Sequence, residues 1–435
     1  DQTFTNVLSE LPTSGSVPEE KIPYSGYWYP ERFGGTNLAV SGSQTPLQKY
    51  DEAFYDGEDK ASAWERANHT VDPSDPSASW AGHCNGFAAA AQRHVEPEKS
   101  VRRGGVTFSA QDIKALLAEI HMSAKYFFLG GNRCELEGRL PGPTVREDPA
   151  VMDVCEDINP GTLHVNIANW IGRKRHALIL DQSIDYQVWN YPLYAFEVTA
   201  SNEISKAQAR QAVAGQSSST YEFNPDAVKF FQMRTRLTYA NALDREALGS
   251  KEPGYFDLTY VLELNAAGEV IGGEWTGASQ RQHPDFLWLA FEPVQGDGSR
   301  FFGNPHIIPE EVIKMWAESA GFDPDDPPLD LLEPNAVDEW GRFPNFEVTI
   351  DGNDRGVVYS GKQTHLAITR RGPLREAVTL QVQLDGAEIT DNNLSAGSSH
   401  ELQFNTGFGL HRLQMVWKKG DTELEDRSVR FVVVP

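Results

Sequence analysis

Positive charge, sulfur and long apolar runs are all scarce in this chain of 435 residues. Lys and Arg number 38 against 62 Asp and Glu, which leaves a net charge of −24. Nucleic acid and anionic membrane reward the opposite sign, so neither is expected as a partner. No stretch approaches the roughly 18 consecutive apolar residues of a spanning helix. The opening DQTFTNVLSE lacks the basic and apolar regions of a signal peptide, so a mature or trimmed chain is expected. There is no H-E-x-x-H, no paired C-x-x-C, no internal repeat and no low-complexity tract. Neither a metal site nor a required cofactor is therefore expected. DPDD at 323–326 reads as a solvated acidic turn, which leaves Ca²⁺ unsupported. Three cysteines remain, Cys84, Cys134 and Cys155, of which two can pair and one is left over.

What is present folds. Hydrophobic residues at 40% and aromatics at 11% exclude a disordered acidic solvator. Residues 1–70, rich in Pro, Gly, Tyr and Trp, read as a wrapping segment and a possible pro-region. Residues 71–335 open with two helices. One begins near Cys84 in SWAGHCNGFAAAAQ, and the other spans FSAQDIKALLAEIH with Ser109 as N-cap and Ile113, Leu116, Leu117 and Ile120 at helical spacing. Strands are expected next in LHVNIANWIG, HALILDQ and YQVWNYPLYAFEV, an antiparallel meander, and again in YFDLTYVLEL and EVIGGEW around an Asn-Ala-Ala-Gly turn. A Pro- and Asp-rich linker leads to residues 345–435, whose alternating runs predict a small Ig-like sandwich. The fold class is thus α+β, helices on an antiparallel sheet, followed by an all-β domain.

A cysteine that starts a helix faces unpaired N–H groups and a partial positive charge, which favours a thiolate nucleophile at Cys84. Such a nucleophile needs a base and a group to orient it. If Gly172-Arg173 is a two-residue hairpin loop, His164 stands opposite Asp181 on one sheet face, with Asn166, Ala168, Ala177 and Trp170. The same meander offers His176 with Asn190 as an alternative pair. GVVYSGKQ at 356–363 lacks the Ser or Thr of a phosphate loop. His283-Pro-Asp285 alone specifies nothing. Cys134 and Cys155 enclose a loop that a disulfide would stabilise by roughly 3 kcal/mol, implying an oxidising compartment, periplasmic or extracellular.

The run DINPGTLHVNIANWIG followed by ILDQSIDYQVWNYPLYAFEV resembles the transglutaminase elicitor family, best known from oomycetes and found in marine bacteria as well. The family's surface element, which plants perceive, matches at Val188, Trp189, Asn190, Pro192, Phe196 and Val198. Tyr191 and Leu193-Tyr194 depart from it, so plant recognition is not implied. GGEW at 272–275 and HPDFLW at 283–288 also look like that family. The resemblance implies a papain-like protein-glutamine γ-glutamyltransferase, with Cys84 in GHCNGF as nucleophile, His164 in NPGTLH as base and Asp181 in LILDQ as orienting acid. Substrates would then be protein glutamine as acyl donor and lysine or a small amine as acceptor. The Cys84 N–H and the Trp80 indole are candidates for the oxyanion, and Trp170 and Trp189 for walls that exclude water. The alternatives are a papain-like protease, a glutamine deamidase, and a non-catalytic secreted adhesion or interaction protein.

Overall fold

The computed structural model describes residues 5–39, 44–131, 157–184, 187–299, 302–327, 346–350, 357–360, 363–370, 378–394, 399–405, 409–419 and 422–433. The chain falls into two compact units, one of residues 1–127 and 131–332 and one of 128–130 and 333–435. The first unit carries helices α1 (Pro46–Phe54), α2 (Ala61–Asn68), α3 (Cys84–Arg93), α4 (Ala110–His121), α5 (Pro160–Ile167), α6 (Lys206–Ala214) and α7 (Pro309–Ala320). The strands up to residue 293 are β1 (Ser14–Ser16), the hairpin β2 (Val101–Arg103) and β3 (Val106–Phe108), β4 (Ala124–Gly130), β5 (Leu178–Asp181), β6 (Asn190–Ile204), β7 (Lys229–Ala240), β8 (Pro253–Leu264), β9 (Val270–Trp275) and β10 (Leu287–Pro293). The main sheet runs β4-β10-β5-β6-β7-β8-β9, with β1 added beside β6. From β10 to β9 its pairs are antiparallel.

Two expected helices form as the sequence dictates. Ser109 accepts from Asp112 N and Asp112 reaches back to Ser109 N, a closed capping box that starts α4. The alanines Ala88 to Ala91 of α3 are fully buried. Small side chains let α3 lie between β5, β6 and β10 on one side and α4 on the other. Closest approach is at Gly86, where a Cβ would stand 2.0 Å from the Ala118 carbonyl oxygen. Beyond α4, Ile113, Leu116 and Leu117 join Tyr50, Phe108 and Trp316 in the helical core.

One expected element is corrected. LHVNIANWIG is not a strand, because Pro160 to Ile167 form α5 and Ala168 to Arg173 continue it as a π-turn. Asn159 caps the helix by accepting from Gly161 N at 2.8 Å, and Pro160 fills its first position. Leu163, Ile167 and Ile171 then bury one stripe at a spacing of four. The predicted hairpin at Gly172-Arg173 therefore does not exist, and β5 pairs instead with β6 and β10. In the second unit the described strands form two sheets. Phe346–Ile350, Gln363–Arg370 and Ser399–Asn405 make one, and five further strands between Val357 and Val433 make the other.

Four imidazoles are built into the first unit in neutral form. His94 and His121, at the ends of α3 and α4, share one hydrogen bond of 2.8 Å between their Nε2 atoms, which requires one donor and one acceptor. Burial holds His121 at about 3 and His94 well below its ordinary value. The same cause sets His176 at about 3 and His164 at about 4. An unfolded histidine takes up its proton near 6.5. Protons thus bind the unfolded chain preferentially below that pH. Thermal melts should show the stability that these four contribute present above pH ~6.5 and falling steadily towards pH ~4; a Tm flat over that interval would contradict the neutral buried imidazoles.

Candidate active site

Cys84 is the first residue of α3 and its side chain is only 7% exposed. The thiol donates to the Val188 carbonyl oxygen at 3.3 Å, and the Asn190 side-chain N–H points back at the sulfur from 3.8 Å. Trp288 Nε1 donates to Asn190 Oδ1 at 2.8 Å. That bond occupies the amide oxygen and so leaves the amide N–H for the sulfur. Asp181 is the register partner of Asn190 across β5 and β6. Its Oδ1 accepts from Trp189 N at 2.7 Å and Ser183 N at 3.2 Å, which closes the loop between the two strands.

Burial pushes the Cys84 thiol up to about 11; the Asn190 N–H groups pull it down and the Asp181 carboxylate pushes it further up. The positive end of α3 is outweighed, contrary to the expectation of an activated thiolate. In this arrangement the sulfur holds its proton at neutral pH.

The structure unites one member of each predicted pair with Cys84, namely Asp181 and Asn190, and keeps both imidazoles away. His164 lies on α5, where Nδ1 meets the Tyr260 hydroxyl at 2.8 Å, itself 2.7 Å from Thr235 Oγ1. α5 rests on β8 and β9, while α3 rests on β5, β6 and β10. With strands about 4.8 Å apart, β6 and β8 are separated by about 10 Å of sheet. His176 precedes β5 and packs on Trp170 at 5.4 Å between ring centroids. Gln92, near the end of α3 opposite Cys84, bonds the Ala177 carbonyl at 2.8 Å. His176 therefore sits about 12 Å along the helix from the sulfur.

Trp170 accompanies His176 rather than Cys84. Trp189 does belong to the site, its ring 5.3 Å from that of Trp28 in the N-terminal segment. That segment is stitched to the loop before α3, with His83 N donating to the Trp28 carbonyl at 2.8 Å and Glu31 N to that of Ala81 at 2.9 Å. Trp80 is half-buried in the same loop. His83 turns its ring away from the thiol into a buried group with Glu65, His69 and Glu119. Cys134 and Cys155 lie outside the described residues.

Trp288 was not singled out by chemistry in the sequence, although HPDFLW marked its place. The same segment anchors Asp181, whose N donates to the Phe286 carbonyl at 3.0 Å and whose carbonyl accepts from Asp285 N at 3.1 Å. The V-W-N run lines the sulfur as well, through Val188 O and Asn190.

A family model described as transglutaminase elicitor matches residues 58–297, more than half of the chain. The chain belongs to the transglutaminase elicitor family. The crystal structure of the GP42 transglutaminase from Phytophthora sojae aligns with a TM-score of 0.58 at 22% identity, over 73% of this chain and 94% of that one. The two share a fold, and this family member is a transglutaminase-like protein of mixed α+β architecture. Fibronectin(III)-like modules of Clostridium thermocellum CbhA align at 16% identity over 20% of this chain and 94% of theirs, with a TM-score of only 0.16. No curated protein matches the chain.

The Trp288 bond to Asn190 generates a stability prediction. Trp288→Phe keeps the ring and leaves Asn190 Oδ1 buried without its donor, a loss of about 1–3 kcal/mol. Urea unfolding should show that loss; an unchanged midpoint would mean that Asn190 is held by other groups.

Proposed function

We propose that this family member is a protein-glutamine γ-glutamyltransferase with Cys84 as its nucleophile. The reading rests on one observation, the thiol at the start of α3 held between the Val188 carbonyl and the side chain of Asn190, whose register partner is Asp181. The Cys84 sulfur attacks the γ-carboxamide of a protein glutamine. A sulfur–carbon bond forms, the carbon–nitrogen bond breaks, and the thiol proton leaves with the departing ammonia. Asp181 is assigned to carry that proton, as the carboxylate standing in register with Asn190, whose amide meets the sulfur. The Cys84 backbone N–H and the Asn190 amide face the developing oxyanion. A lysine ε-amine, deprotonated by Asp181, then resolves the thioester to an isopeptide. Water in its place gives deamidation. The paired indoles of Trp28 and Trp189, beside Asn190, serve to exclude water from the acyl-enzyme.

Incubation with casein and a fluorescent primary amine tests this reading. Amine incorporation should vanish in Cys84→Ala, fall at least ~100-fold in Asp181→Asn, and survive largely in His164→Gln and His176→Gln. Casein fragments without incorporation would instead indicate a papain-like protease. A folded His164→Gln variant as inactive as Cys84→Ala would overturn the assignment of Asp181 as proton carrier.

A further inference from the structure

Directly behind Cys84 lies a second constellation that the acyl transfer does not use. Glu65 lies within α2 and His69 immediately follows it, His83 is the residue before α3, and Glu119 is on α4. All four are fully buried, and one donor atom from each lies within 4.8 Å of the others. His69 Nδ1 is 3.2 Å from His83 Nε2 and 2.9 Å from Glu65 Oε2. His83 Nε2 is 3.1 Å from Glu119 Oε2 and 3.3 Å from Glu65 Oε1. A tetrahedral ion with bonds of about 2.0–2.1 Å to nitrogen and oxygen sets its ligands about 3.3 Å apart, the scale seen here.

Protons alone serve this group poorly. Two ring nitrogens 3.2 Å apart need one donor and one acceptor to bond each other. Each of them also faces a carboxylate, which accepts only, so both are pressed to donate while facing one another. A divalent cation instead takes a lone pair from each of the four and neutralises the two carboxylates.

The surroundings orient the donors as the outer shell of a metal site does. Tyr29 O lies 3.3 Å from His83 Nδ1, which places the proton there and turns the Nε2 lone pair inward. Thr36 donates its hydroxyl to Glu119 Oε2 at 2.6 Å and its N–H to Glu65 Oε1 at 3.1 Å. Asn304 N donates to Glu119 Oε1 at 2.8 Å. At Gly35, with φ +58°, a Cβ would stand 2.4 Å from Glu65 Oε1 and 3.0 Å from His83 Cε1, so the chain closes over the group without a side chain.

We propose that Glu65, His69, His83 and Glu119 bind one zinc ion in a closed, structural site. Two imidazoles and two carboxylates suit Zn²⁺, whereas Ca²⁺ wants six to eight oxygens. The ion ties α2 and α4 to the residue next to Cys84, so it anchors the start of α3 and does not meet substrate.

The test uses the purified full chain, without an affinity tag of histidines. Metal analysis should find about one zinc per chain, in wild type and Cys84→Ala alike. Chelation should remove it with a loss of several degrees in Tm that added Zn²⁺ restores, and His69→Ala should lose the ion. Where that variant fails to fold, titration of chelated wild type with Co²⁺ replaces it. A strong visible spectrum of tetrahedral cobalt, without near-ultraviolet sulfur charge transfer, supports the site. Chelated protein that takes up neither Zn²⁺ nor Co²⁺, or that binds cobalt through sulfur, overturns it. Because amine incorporation is not the readout, this result is independent of the acyl-transfer proposal.

Discussion

The close burial of α3 governs the rest of the molecule. Its alanines admit the sheet on one side and Gly86 admits α4 on the other. A larger residue at either place would push the helix off its neighbours, since interiors are packed to the density of organic crystals. Because the helix is fixed along its length, its first residue is fixed too. Cys84 thus meets Val188 and Asn190, where β6 begins, at hydrogen-bond distance, and the chemistry of the site follows from that contact.

A thiol so placed is quiet. Burial raises it to about 11, and Trp28 packs on Trp189, the neighbour of Asn190. The N-terminal segment is therefore part of the site as well as part of the fold. Separation of the two indoles would change the dielectric around Cys84, Asn190 and Asp181 together, and the balance of burial against hydrogen bonding that sets the thiol would change with it.

Much of this was legible in sequence, and the misses have physical causes. The helix at Cys84 showed through its alanine run, and α4 through the Ser109 and Asp112 cap. The strands around the Asn-Ala-Ala-Gly turn showed through their alternation. LHVNIANWIG misled because Leu163, Val165 and Ile167 alternate like a strand, while the deciding signals, the Asn159 cap and Pro160 at the first position, precede the run. Strand arithmetic built on it therefore put His164 opposite Asp181, whereas His164 lies on α5 and Asp181 ends β5. The family resemblance drew attention to the segments of Cys84, Asp181 and Asn190, which the fold brings together. Only Glu65 and His69, four apart at the end of α2, are local to one another, while His83 and Glu119 come from other parts of the chain.

Covalent capture tests the central claim most directly. Wild-type protein is mixed with a short glutamine peptide, quenched in acid without an acceptor amine, and digested for mass spectrometry. The account predicts that the fragment containing Cys84 gains the peptide mass less ammonia and that hydroxylamine removes the adduct, as it does a thioester. A Cys84 fragment of unchanged mass, from protein that still modifies the glutamine, would contradict it.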